Sequence, residues 1–151
     1  MDSLHLRRVN GDFEIPDGTR LAHLCEMFIP RHVKFPESLT LLNMYGSTLE
    51  GGVELPSVYM LDLRAVTFLG EAVLPEGISI LDLSEMTVPD WLRVPTSVER
   101  LYMEKSRNLP RLSSGGNLEM VDISGAELDK RYRIPSSVRR IKIGQVLEIS
   151  R

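Results

Sequence analysis

Three histidines and a single cysteine supply every imidazole and thiol in the chain, and three of the four fall close together in the frame of the sequence. His23 precedes Cys25 by two residues, and His5 lies 20 residues before Cys25. Such a set holds zinc, or activates a thiol, when its atoms converge on one point. Two residues apart on a strand is roughly 7 Å, and no carboxylate stands near to orient an imidazole, so the spacing predicts surface histidines and an unreactive thiol. Asp62, Asp82 and Asp122 invite a calcium or general-acid reading, but they lack the glycine-rich loop or cleft that either chemistry needs. Neither Gly51-Gly52 nor Gly115-Gly116 is followed by the Lys-Ser or Lys-Thr of a phosphate loop, so both pairs read as turns. No catalytic residue, cofactor or metal ligand is assigned, and the expectation is a protein that is not an enzyme.

Composition narrows the classes further. With 151 residues and 42% apolar content the chain is long and greasy enough for one domain with a real core. No apolar run reaches the roughly 18 residues of a membrane span, and the start, Met1-Asp2-Ser3-Leu4-His5-Leu6, lacks the apolar stretch of a signal peptide. One cysteine forbids an internal disulfide, which suits a reducing compartment. The net charge of −3 hides an asymmetry: residues 1–128 carry 11 basic and 19 acidic side chains, and residues 129–151 carry 7 and 2. No single-sign surface for nucleic acid is expected. Arg139, Arg140 and Lys142 read as a solvated end-coil.

The elements that position these groups come from an internal repeat. Phe35-Pro36-Glu37-Ser38-Leu39, Leu74-Pro75-Glu76-Gly77-Ile78, Val94-Pro95-Thr96-Ser97-Val98 and Ile134-Pro135-Ser136-Ser137-Val138 share an apolar-Pro-x-small-apolar pattern. Apolar residues follow each of them three and five positions later. The last apolar position runs Leu24, Met44, Leu63, Leu83, Met103, Ile123, Ile143, at spacings of 20, 19, 20, 20, 20 and 20. In the three apolar columns typified by Leu39, Leu42 and Met44, 20 of 21 positions are apolar and only Thr19 is not. Alternation of this kind is the period-2 signature of a strand with one buried face. Each unit predicts a strand, a turn, a second extended piece and a proline corner, where fixed φ and a missing donor do no harm. Stacking such coils at about 4.8 Å buries one continuous core. The expected fold is an all-β, leucine-rich-repeat-like parallel β-solenoid of about seven coils of 20 residues over residues 13–151, with residues 1–12 as a partial N-terminal cap. Its outer side is expected to be extended or 3-10.

The units Pro75-Glu76-Gly77-Ile78-Ser79-Ile80-Leu81-Asp82-Leu83 and Pro95-Thr96-Ser97-Val98-Glu99-Arg100-Leu101-Tyr102-Met103 resemble the short leucine-rich repeats of bacterial type III secreted effectors. Ile134-Pro135-Ser136-Ser137-Val138-Arg139-Arg140-Ile141-Lys142-Ile143-Gly144 is similar to the FNIP repeat. The resemblance implies a protein-binding module, delivered to a host cytosol or cytoplasmic. The ubiquitin-ligase domain that often follows such repeats is not seen, so its activity is not implied. Where the family places a turn asparagine, this chain has Ser47, Thr67, Met86, Ser106 and Ala126, so the backbone must be satisfied another way.

In this frame the residues alternating with the buried ones form outward columns, and the expected partner site is Leu41, Asn43, Tyr45, Met60, Asp62, Arg64, Ile80, Asp82, Arg100, Tyr102, Met120 and Asp122. Leu41, Met60, Ile80 and Met120 are expected as an exposed apolar stripe. Asp62 and Asp82 are expected to stack as like charges unless something basic faces them. The aromatic and Arg anchors beside them suit an interface with a protein. A second reading is a structural element that self-associates through an uncapped C-terminal coil ending in Val146-Leu147-Glu148-Ile149-Ser150-Arg151.

Overall fold

A computed structural model describes residues 2–144 and 148–150, the last three through their backbone alone. Twelve strands follow in chain order: β1 (Ser3–Arg7), β2 (Leu21–Cys25), β3 (Phe28–Ile29), β4 (Leu41–Asn43), β5 (Thr48–Leu49), β6 (Met60–Asp62), β7 (Thr67–Phe68), β8 (Ile80–Asp82), β9 (Arg100–Tyr102), β10 (Met120–Asp122), β11 (Arg140–Lys142) and β12 (Glu148–Ser150). They form a parallel β-solenoid of about seven turns, with no helix among the described residues. One nine-stranded sheet runs β1-β2-β4-β6-β8-β9-β10-β11-β12, and a three-stranded sheet, β3-β5-β7, lies on the outer side.

The register is the repeat made visible. Leu41 pairs with Met60, Met60 with Ile80, Ile80 with Arg100, Arg100 with Met120 and Met120 with Arg140, each step one coil. Between them Leu42, Leu61, Leu81, Leu101 and Val121 point inward and are fully buried. Each such leucine contributes about 1.5–3 kcal/mol on leaving water, which holds the stack together although a three-residue strand has little stability of its own. The exception in the apolar columns, Thr19, is also fully buried; its hydroxyl donates to the Pro16 carbonyl at 2.7 Å. Ile143 departs from expectation. The six equivalent positions are buried, but Ile143 is 37% exposed because no further coil of the described residues lies over it.

Two turns close each coil. At the proline corner the proline carbonyl accepts the N–H three residues on, as in Leu39 to Pro36 (3.1 Å), Val98 to Pro95 (3.2 Å) and Val138 to Pro135 (3.1 Å). After the sheet strand the chain turns through a left-handed residue at an equivalent place in each coil: Glu26, Gly46, Ala65, Glu85, Lys105 and Gly125, with φ between 53° and 68°. A positive φ at the third residue of a four-residue turn, closed here by bonds such as Val66 N–H to Leu63 carbonyl at 3.1 Å, is the type II geometry.

The missing turn asparagine is replaced by two devices. Ser47 and Ser106, both fully buried, donate through Oγ to the carbonyls of Leu24 and Leu83 in the preceding coil, each at 2.6 Å, and Ser47 Oγ also accepts the Met27 N–H at 3.1 Å. On the sheet face, Asn43, Asp62, Asp82 and Asp122 each turn Oδ1 onto the N–H two residues ahead, at 2.9–3.0 Å. These are Asx turns, in which a side chain replaces a backbone acceptor.

At the N-terminal end Ser3–Arg7 is a strand in parallel register with β2. The edge expected to be open at the last coil is occupied: β12 pairs antiparallel with β11, Ile149 opposite Ile141. Of the tail named for self-association, Val146, Leu147 and Arg151 lie outside the described residues.

Candidate protein-binding face

The outward face of the nine-stranded sheet brings all twelve sequence-assigned residues onto one surface, because each occupies a strand position alternating with a buried one or, for Tyr45 and Arg64, the second position beyond the strand. It does not expose them equally. The apolar stripe is a correction: Leu41, Met60 and Ile80 are half-buried and Met120 is only 9% exposed. Strands about 4.8 Å apart bring neighbouring columns into contact, so the side chains of a flat sheet cover one another. Asp62 and Asp122 are buried as well, at 5% and 3%. Arg100 is exposed, and Asn43, Tyr45, Arg64, Asp82 and Tyr102 are half-buried.

The expected repulsion between Asp62 and Asp82 is met from within the chain. Arg64 Nε lies 3.1 Å from both carboxylate oxygens of Asp62 and 3.8 Å from Asp82 Oδ2, and its Nη2 lies 3.1 Å from Asp62 Oδ2. The same guanidinium sits 5.3 Å from the centroid of the Tyr45 ring, in cation–π range. Arg64 is held above its ordinary pKa, chiefly by its hydrogen bond to Asp62. Asp82 is pushed above the usual aspartate value by burial, with the Asp62 charge adding to it. The aspartates are therefore structural caps neutralised in place, and no foreign cation is needed to explain them.

At the N-terminal end of the face the histidines stack. The rings of His5 and His23 lie 4.6 Å apart and 10° from parallel, one strand step from each other. Asn43 Oδ1 is held by the Tyr45 N–H at 2.9 Å, which leaves Asn43 Nδ2 to donate to His23 Nδ1 at 3.1 Å. Neutral His23 therefore carries its proton on Nε2. Burial first, and the stacked His5 second, hold the His23 pKa below its ordinary value. Cys25 points its thiol at Asn43 Oδ1 from 3.9 Å, and burial raises its pKa. An elevated thiol pKa is the opposite of what a nucleophile needs. With Tyr45, Arg64 and Glu85, these groups line a depression of about 580 Å³.

Sequence reasoning found the columns but missed the Asx role of Asn43 and the three aspartates. The signal was present, since all four stand at the same frame position before a turn. It also missed a second depression, of about 800 Å³, on the outer side between residues 108–112 and 127–133. Its signal was the break in the sixth unit, where Ser114-Gly115-Gly116-Asn117 stands in place of apolar-Pro-x-small.

No family model, curated protein or solved structure matches this chain. The repeat architecture rests on the internal register alone.

Proposed function

We propose that the chain is a leucine-rich-repeat-type recognition module that binds another protein through the outward face of its nine-stranded sheet. The observation that carries this reading is a broad face presenting Tyr45, Arg64, Arg100 and Tyr102 on strands that no other described strand crosses. Aromatic and arginine side chains on a rigid support are the groups that dominate protein interfaces, because the rings bury much area at little entropic cost and the guanidinium makes paired hydrogen bonds. The ion-paired Asp62, Asp82 and Arg64 keep the middle of the face ordered before binding, and the depression beside the histidine stack offers a seat for a protruding side chain. The resemblance of the units to type III effector repeats supports a partner in a host cytosol, with this chain as an effector or a portion of one.

The test is affinity capture from host lysate with mass spectrometry, comparing the native chain with an Arg100→Glu, Tyr102→Ala variant. These two residues cap no turn, so the variant keeps the native circular dichroism spectrum. Selective loss of one captured protein supports the reading, and unchanged capture removes this face from consideration. Reversal of Asp62 is unsuitable, because its buried carboxylate holds the Arg64 backbone. Self-association through the C-terminal coil is the alternative; β12 pairs with β11 and is the last strand in the order of the sheet.

A further inference from the structure

The outer depression at the C-terminal end has a composition of its own. Its floor is apolar: Leu109, Leu112 and Tyr132 are half-buried, and the Tyr132 hydroxyl donates to the Pro110 carbonyl at 2.9 Å. Its rim carries Arg111, Arg131 and Arg133, all exposed, with Arg111 and Arg131 one 20-residue period apart. Among the described residues none of these three guanidiniums lies within 4.0 Å of a carboxylate. The two acids at the rim are engaged elsewhere. Glu127 faces Arg107 at 3.5 Å, and Asp129 Oδ1 accepts the Arg131 backbone N–H at 2.9 Å. By contrast, Arg7, Arg8, Arg31 and Arg64 each pair with a carboxylate of their own or a neighbouring coil.

We infer that this groove is a second docking site, for an acidic linear segment of a partner protein whose carboxylates meet Arg111, Arg131 and Arg133 while an apolar side chain seats on Leu109, Leu112 and the exposed Leu128. Planar guanidiniums take carboxylates in paired hydrogen bonds, and among the described residues these three have no carboxylate in pairing range that such a ligand would have to displace. The recess favours a peptide over a bilayer, which needs a protruding apolar surface. Glu127 and Asp129 on the rim disfavour the unbroken phosphate run of a nucleic acid, whereas a peptide can place neutral residues opposite them. The site lies away from the sheet face, so it stands or falls independently of the function proposed above.

The test is fluorescence polarisation with the full chain and a labelled peptide alternating glutamate and leucine. Its lysine-for-glutamate counterpart, a duplex DNA and anionic phosphatidylserine vesicles serve as competitors. The acidic peptide is expected to bind saturably and to weaken at least about tenfold in Arg111→Glu, Arg133→Glu. Arg100→Glu, Tyr102→Ala is expected to bind it as the native chain does. If the charge reversal disturbs the circular dichroism spectrum, Arg111→Gln, Arg133→Gln replaces it with the same expectation of weaker binding. Absence of saturable binding, equal binding by the rim variants, or preferential displacement by DNA or vesicles overturns the proposal. A concentration-dependent dimer that the peptide dissociates assigns the groove to a second copy and overturns it equally.

Discussion

The coils that carry β2 to β7 and those that carry β8 to β11 are cut from the same repeat but are built differently. In the first group the outer side is a sheet: β3, β5 and β7 pair in register, Phe28 with Thr48 with Thr67 and Ile29 with Leu49 with Phe68, and Phe68 meets Trp91 edge-on at 5.1 Å. Beyond them the outer side thins to an isolated bridge, Thr87 to Arg107. Pro89 stands where Glu50 and Leu69 donate their N–H to the preceding coil, and a proline has no N–H to continue that ladder. The inner columns alone suffice to stack a coil, whereas the outer residues decide whether it has a second wall or a groove.

Core substitutions probe this contrast most strongly. Leu61→Ala, in a fully buried position among double-walled coils, is expected to cost about 3–4 kcal/mol in chemical unfolding. Ile141→Ala, in the last coil, is expected to cost about 2 kcal/mol, because its surroundings relax more easily. Equal losses would erase the distinction.

Buried hydroxyls give the next effect. Ser47 serves Leu24 and Met27 at once, so Ser47→Ala is expected to cost about 1–3 kcal/mol. Ser124 Oγ is buried with no hydrogen-bond partner among the described residues, although its counterpart Ser84 accepts the Glu104 N–H at 3.0 Å. Ser124→Ala is expected to leave the unfolding midpoint unchanged or raise it.

A pH effect separates the aspartates. The folded pKa of Asp82 is raised, so its neutral form is favoured by folding and stability is lost as pH rises from the unfolded pKa through the folded one. Asparagine caps the same turn at position 43. Asp82→Asn is therefore expected to melt higher than the native chain at neutral pH and equally with it in acid, where both are uncharged. A benefit that persists in acid would point to packing instead. The smallest effect is conformational. Ala65 sits at φ 55° where its equivalents Gly46 and Gly125 need no Cβ, so Ala65→Gly is expected to stabilise by about 0.5–1 kcal/mol. Gly46→Ala, whose new Cβ would meet Glu26 Cγ at 3.2 Å, is expected to lower the melting temperature.

Fold was legible because period and burial are one fact in a solenoid: the spacing that aligns Leu63, Leu83 and Met103 in the sequence stacks them, fully buried, in the core. The outward face was legible only in outline. Alternation says which side a residue faces, but lateral packing buried Met120 and Asp122, and the reach of Arg64 to Asp62 in its own coil and Asp82 in the next depends on side-chain geometry. The outer groove was hidden because it arises from an interruption of the pattern, to which periodicity is blind. The strand at the C-terminal edge was hidden too, since β12 runs against the parallel register of every other pair in its sheet.

Native-state hydrogen exchange tests most directly whether the face is a rigid platform graded along its length. The amides of β2, β4 and β6 are expected to exchange slowest, at the free energy of global unfolding, and those of β10 and β11 to open earlier through partial unfolding from the single-walled end. Protection that is equal across all five strands, or highest in β10 and β11, would contradict the account.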